Sequence, residues 1–151
     1  MPRIVTSRTV QATPEAVWDL MADAKRWPEW VEVIDRMVEL PEGELREGSE
    51  YREAGGIAPF KGESTWRVSE YERPRRMVHE GDDGQMRITV THELNASGDG
   101  TEFRQTVDLK PRWWMVPLVA MTWPLFMRSR GEAAMEATFD NLQQIVEGDA
   151  G

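Results

Sequence analysis

Two segments that alternate strictly between apolar and polar residues constrain the fold of this chain most strongly. Residues 86–94 and 101–109 return apolar or uncharged side chains to the same face at every second position: Met86, Ile88, Val90, His92, Leu94 and then Phe103, Gln105, Val107, Leu109. A period of two is the geometry of an extended strand. Because residues 97–100 read Ser-Gly-Asp-Gly, a strong turn signal, the two segments are predicted to form an antiparallel hairpin with one apolar face.

The remaining elements are predicted from similar patterns. β-Branched residues over 3–11 predict a first strand, and further strands are predicted at 33–40, 49–54, 61–72 and 77–80, each followed closely by glycine or proline. Thr13 and Pro14 have the order of an N-cap and a first helical residue, so a short helix begins there, and residues 23–30 predict a second. Apolar residues at three- and four-residue steps predict a long C-terminal helix closed by Gly148: Met135, Phe139, Leu142 and Ile145 or Val146.

This order predicts an α+β fold in a single domain over residues 1–151. A curved antiparallel sheet of about seven strands would wrap around the long C-terminal helix, with the two short helices after the first strand. One helix laid across the concave face of such a sheet can leave a cavity between them, and cavities of this kind hold ligands.

Composition excludes several classes of protein. The chain of 151 residues has no cysteine and a formal net charge of −9. There is therefore no disulfide framework, and nucleic acid is not expected as a partner because its phosphates require a basic surface. Two lone histidines without ligand spacing predict no metal, and no motif predicts a cofactor. The N-terminus lacks the apolar core of a signal peptide, which favours a cytoplasmic location.

Residues 113–127 form an uncharged apolar run that something must cover. It is shorter than the roughly 20 residues of a spanning helix and is interrupted by Pro117 and Pro124. Three interpretations stay open: a lid over the cavity, which we favour, a segment in transient contact with a membrane, or the interface of a homodimer. The membrane interpretation draws on the basic residues that bracket the run, which are Lys110, Arg112, Arg128 and Arg130.

A family resemblance rests on four short stretches. Residues 12–23 read Ala-Thr-Pro-Glu-Ala-Val-Trp-Asp-Leu-Met-Ala-Asp and residues 27–30 read Trp-Pro-Glu-Trp; Gly48-Ser49 and the turn Arg73-Pro74-Arg75-Arg76 follow. This combination resembles the START-like (SRPBCC) superfamily and, within it, bacterial proteins of the polyketide cyclase/dehydrase type. The resemblance covers almost the whole chain and implies the helix-grip fold. It does not select between carriers and enzymes, since one fold serves many functions.

The candidate site residues are those expected on the inner face of the sheet or on the segments that cover it. His92 and Gln105 are candidate catalytic residues because polar side chains on an apolar face can orient a ligand or transfer a proton. Phe60 is expected on a mobile flap over residues 55–62. The full set of predicted ligand-binding residues is Tyr51, Phe60, Trp66, Val68, Met86, Ile88, Val90, His92, Phe103, Gln105, Trp123, Met127 and Met135.

Three hypotheses about function follow. The favoured one is binding or transport of a hydrophobic small molecule, such as a lipid, an isoprenoid or a polyketide-like compound, between the sheet and the C-terminal helix. The second is an enzyme of cyclase or aromatase type that uses cavity polar residues. The third is an interaction module that docks through residues 113–127.

Overall fold

The computed structural model describes residues 2–149, so the two ends of the predicted domain 1–151 lie outside the described residues. Seven strands form one antiparallel sheet in the order β1-β7-β6-β5-β4-β3-β2. Their bounds are β1 Arg3–Val10, β2 Ile34–Glu39, β3 Glu50–Ile57, β4 Phe60–Glu72, β5 Arg76–Asp82, β6 Met86–Ser97 and β7 Gly100–Pro111. The predicted α+β class and helix-grip arrangement are confirmed.

The helices after β1 and the long C-terminal helix lie where the sequence predicts them. Between β1 and β2 lie α1, Pro14–Met21, a single 3-10 turn, Ala24–Arg26, and α2, Trp27–Trp30. The Thr13 hydroxyl accepts a hydrogen bond from the Ala16 amide at 3.2 Å, so the predicted N-cap of α1 is confirmed. The long C-terminal helix α4 spans Arg128–Asp149, and Gly148, predicted to close it, is its second-last residue.

The uncharged run over residues 113–127 is helical throughout. A 3-10 turn at Trp113–Met115 leads into α3, Val116–Thr122, and a π-helical turn at Trp123–Met127 joins α3 to α4. Pro117 lies within the first two residues of α3, where a missing amide hydrogen breaks no intrahelical bond. Pro124 lies at the start of the π-helical turn between α3 and α4, and the changed hydrogen-bond pattern of that turn, with Arg128 N–H bonded to the Trp123 carbonyl, accommodates it. The prolines therefore do not break the segment. In the described part of the chain no helix combines the length and apolarity needed to cross a membrane.

The expected flap over residues 55–62 is instead a hairpin. β3 passes through Gly55 and Gly56, which were expected to end it, and pairs with β4 as far as Ile57 opposite Phe60. The reason is a close backbone contact: a Cβ atom on Gly55 would lie 1.9 Å from the Val33 carbonyl oxygen. Glycine is required here so that the chain leading into β2 can approach the strand.

The second half of α4 holds the helix to the sheet. Phe139, Leu142 and Val146 are buried in the main core against the inner face of the sheet and α1. Phe139 stacks on Phe103 of β7 with 5.0 Å between ring centroids. On the flank of the helix, the Arg8 guanidinium of β1 pairs with Glu136 and Asp140. The first half of α4 instead lies over a cavity.

A contact between Trp66 and Gly81 gives a test of this arrangement. The two residues are register partners on β4 and β5, and a Cβ on Gly81 would lie 2.4 Å from the Trp66 ring. We expect Gly81→Ala to displace the ring and lower the free energy of unfolding by about 1–3 kcal/mol in urea titrations. The control is Gly62→Ala, since nothing lies within 4 Å of a Cβ there. Equal stability of the two variants would contradict the close contact.

Candidate functional site

A cavity of about 230 Å³ lies between the sheet and the first half of α4. Its roof is formed by Gly131, Ala134, Met135 and Thr138 of α4 and by Met127 of the preceding turn. The floor is the inner face of the sheet, and α2 closes the inner end with Trp27 and Trp30. Lys61, an exposed residue of the β3–β4 hairpin, and Asp83 of the β5–β6 turn also line the space. The cavity therefore reaches the protein surface between these turns and the Trp123–Met127 turn, which we call the mouth.

The structure brings together most of the residues that the sequence analysis predicted as ligand-binding. The predicted residues that line the cavity are Tyr51, Phe60, Trp66, Met86, Ile88, Val90, His92, Gln105, Trp123, Met127 and Met135. Val68 and Phe103 do not line it, although both face inward as expected. They lie in the main core, further along the sheet, where α1 and the second half of α4 pack against the strands. The inward direction of a side chain therefore does not by itself predict whether the residue lines the cavity or lies in the core.

The predicted polar patch exists and extends across four strands. The Tyr51 hydroxyl and His79 Nδ1 share a hydrogen bond of 2.9 Å, and the His79 and His92 rings meet edge to face at 5.4 Å. The second pair joins His92 Nε2 to Gln105 Oε1 at 3.2 Å. Because an amide oxygen only accepts hydrogen bonds, Nε2 carries the proton and Nδ1 keeps a lone pair. His92 Nδ1 is enclosed and has no hydrogen-bond partner within residues 2–149.

Both histidines are electrically neutral near pH 7. Burial lowers the pKa of His92 to about 4, and burial next to His92 lowers the pKa of His79 well below its ordinary value. Burial raises the pKa of the Tyr51 hydroxyl well above its ordinary value, so it keeps its proton. His92 is thus a hydrogen-bonding group of the cavity floor, and its basicity is low for a general base at neutral pH.

The sequence analysis missed Glu53, which lines the cavity two residues along β3 from Tyr51. Its side chain is 9% exposed, lies opposite Ser64 of β4 and makes no hydrogen bond to other described side chains. Burial raises the pKa of its carboxyl to about 7. The alternation of β3 carried the signal: once Tyr51 is assigned to the inner face, Glu53 must share that face.

The arrangement offers no metal site in the described part of the chain, where no group of three or more candidate ligands converges. What it offers is a largely apolar space lined by Glu53, a buried carboxyl that changes its protonation near neutral pH. Such a group can accept or donate a hydrogen bond and can exchange a proton with a bound molecule.

A family model described as "Polyketide cyclase / dehydrase and lipid transport" matches residues 1–147. The chain belongs to this family. The resemblance to the START-like superfamily drawn from four short stretches is thereby confirmed. No curated protein matches the sequence significantly.

Solved structures of the same fold include proteins of quite different description. TTHA0849 from Thermus thermophilus superposes with a TM-score of 0.80 at 15% identity, covering 99% of this chain and 100% of that one. The Zhui aromatase/cyclase from Streptomyces sp. R1128 gives 0.80 at 14% identity, with coverage of 99% and 96%. A point mutant of norcoclaurine synthase from Thalictrum flavum gives 0.73 at 14% identity, also covering 99% and 96%. At these identities the likeness shows the fold alone.

The raised pKa of Glu53 predicts a specific dependence of stability on pH. The folded state favours the protonated carboxyl, so stability is lost as the pH rises from the ordinary pKa of 4.5 through about 7. Above that range ionised Glu53 destabilises the folded state by up to about 3 kcal/mol. Glu53→Gln, which imitates the protonated form, should therefore stabilise the protein strongly at pH 8.5 and weakly at pH 5.

Urea unfolding of the wild type and Glu53→Gln at both pH values measures this effect. Glu50→Gln is the matched control, because Glu50 lies on the same strand and is exposed. His79 and His92 also alter stability at low pH, but they do so equally in all three proteins. A gain for Glu53→Gln that is the same at pH 5 and pH 8.5 would contradict the raised pKa.

Proposed function

We propose that this protein binds an apolar, ring-bearing small molecule in the cavity beneath α4, with a hydroxyl or carbonyl group of the ligand next to Glu53. The observation that carries the proposal is the combination of largely apolar walls with Glu53, a buried carboxyl that lines the cavity and makes no hydrogen bond to other described side chains. An apolar cavity of about 150 Å³ is large enough for benzene. The larger volume of about 230 Å³ suits a molecule of one or two rings, or a short branched chain.

The chemistry of the walls sets the polarity of the ligand. Aromatic, thioether and branched aliphatic side chains form most of the lining, with Trp66 and Met86 on the sheet and Met135 on the helix. Flat rings and flexible thioethers pack well against irregular apolar molecules. Along the floor Tyr51 pairs with His79, and His92 Nε2 pairs with Gln105. The Glu53 carboxyl and the enclosed His92 Nδ1 are left without a hydrogen-bond partner among the described residues, so a ligand can pair with them.

The family and its neighbours support a hydrophobic small molecule as the ligand. The family description covers both polyketide chemistry and lipid transport, and one neighbour is an aromatase/cyclase. Within that range the cavity volume favours a small polyketide-like or isoprenoid fragment over a two-chain lipid. A lipid with two long acyl chains would need a cavity several times larger.

Filling the cavity from the helix tests this binding site. Ala134 lies on the cavity side of α4, and Ala133 is exposed on the same helix. We expect Ala134→Phe to weaken uptake of the uncharged two-ring dye 1-aminonaphthalene at least about tenfold, measured by fluorescence titration. Ala133→Phe should leave uptake unchanged. Equal uptake by the two variants, each folded by circular dichroism, would exclude this cavity as the binding site.

A second candidate function is acid–base catalysis, and Glu53 is the observation that favours it. A carboxyl with a pKa of about 7 in an apolar cavity is matched to taking a proton from a carbon next to a carbonyl. Removal of such a proton is the first step of the aldol ring closures and dehydrations that cyclases catalyse. The carboxylate would remove the α-proton, leaving an enolate, and the protonated carboxyl would return a proton to carbon or oxygen.

Hydrogen–deuterium exchange of a bound ketone isolates that step. With 2-tetralone in D2O, the wild type should exchange the C1 protons faster than buffer alone, and the rate should rise with pD through a midpoint near 7. Glu53→Gln should reduce the rate to that of buffer, whereas Glu50→Gln should not change it. Exchange that persists in Glu53→Gln would remove the catalytic role and leave binding as the function.

A further inference from the structure

The helical segment over residues 113–125 presents an apolar surface to solvent. Trp113 is 85% exposed, Leu125 72% and Met121 57%. Every exposed residue of the segment is apolar: Trp113, Trp114, Val116, Pro117, Leu118, Ala120, Met121, Pro124 and Leu125. We call these nine residues the docking surface. A contiguous apolar area of this kind is rare on monomeric proteins and marks a site of interaction.

The opposite side of the same segment is apolar as well. Met115 and Val119 are buried against Met86, with Phe60 beside them, and Trp123 and Met127 line the cavity. A surface helix normally places polar residues toward water, and a helix that is apolar all round is covered on both sides. The inner side is covered by the protein itself. The outer side has no cover within the described chain.

Charge around the docking surface identifies what covers it. Five basic residues flank it in sequence or lie on the adjoining strand pair, and we call them the basic rim. Arg112 directly precedes the surface, Arg128 and Arg130 follow it, and Arg87 and Lys110 are register partners on β6 and β7. Asp82 neutralises Arg112 and Glu132 neutralises Arg128. Arg87, Lys110 and Arg130 form no ion pair with any other residue of 2–149. The five basic residues of the rim outnumber the acidic residues placed beside them, Asp82, Asp83 and Glu132, in a chain whose net charge is −9.

A basic rim beside an apolar surface fits a lipid bilayer better than a second copy of the chain. Two copies joined through this surface would bring their basic rims together, and like charges across an interface disfavour binding. A bilayer with anionic headgroups attracts the rim and accepts the apolar side chains below the headgroups. Tryptophan beside basic residues is the composition typical of the membrane–water interface, and Trp113 and Trp114 follow Arg112 directly.

The docking surface also adjoins the mouth of the cavity. The Trp123–Met127 turn carries Leu125 on its outer side and Trp123 and Met127 on its inner side. A protein resting on this surface would hold the mouth at the bilayer. An apolar ligand could then pass between bilayer and cavity without crossing water.

We propose that the docking surface and basic rim bind the surface of anionic lipid bilayers, so that the cavity exchanges its ligand directly with the membrane. The exchange rests on the proposed ligand-binding function, whereas the bilayer contact does not.

Flotation with unilamellar vesicles tests the contact. Wild-type protein should float with vesicles of about 70% phosphatidylcholine and 30% phosphatidylglycerol, and less with phosphatidylcholine alone or at high salt. The double variant Trp113→Ser, Leu125→Ser should bind at least about tenfold more weakly. Val5→Ser is the matched control, because Val5 is 46% exposed on β1, outside the docking surface. It should float as the wild type does.

Other results would overturn the proposal. If the wild type does not float, and sedimentation shows a dimer that the double variant abolishes, the surface joins two copies. If the wild type is a monomer that does not float with vesicles, the docking surface does not bind bilayers. Dye uptake without vesicles separates this test from that of the cavity, since the double variant should take up 1-aminonaphthalene normally. If the double variant no longer floats but takes up the dye normally, the substitutions affect the docking surface and leave the cavity intact.

Discussion

The attachment of α4 through its second half is the constraint on which the cavity depends. Phe139 and Leu142 are fully buried against the sheet, and Arg8 ties the flank of the helix to β1. Gly131 lets the helix pass close to Ile4, since a Cβ there would lie 2.5 Å from the Ile4 side chain. Held at these points, the first half of α4 spans the curved sheet without filling the space beneath it. A single helix cannot fill the concave face of seven strands, so the fold itself creates the cavity.

The polar groups in this space cost stability and therefore indicate a role. A buried carboxyl without a hydrogen-bond partner destabilises a folded protein unless it is protonated. An apolar residue at the position of Glu53 would avoid that cost and would still line the cavity. Retaining Glu53 makes sense if a bound molecule supplies the missing partner. The paired groups of His92 and Gln105 differ, since their mutual hydrogen bond satisfies the buried amide oxygen without a ligand.

The sequence predicted those parts of the structure that depend on local pattern. The alternation of β6 and β7 and the Thr13 cap of α1 were found because strand period and capping chemistry act over a few residues. The path of β3 through Gly55 was missed because its cause, the carbonyl of Val33, is distant in sequence. Val68 and Phe103 were assigned to the cavity for a similar reason. Tertiary packing decides where α4 contacts the sheet and where it lies away from it. The residue pattern of a single strand does not contain that information.

For the segment over residues 113–127, the sequence correctly predicted an apolar run that needs cover, but it did not predict that the run is helical throughout. Its lack of charge demanded a cover, and the two prolines suggested a broken lid, but each proline stands where a helix tolerates it. Once the segment is helical, its apolar residues cannot all face inward, because a helix turns through about 100° at each residue. About half of them must point away from the core. The surface that remains beside the cavity mouth is then a consequence of the same uncharged run, and it is this uncovered side for which we propose a bilayer contact.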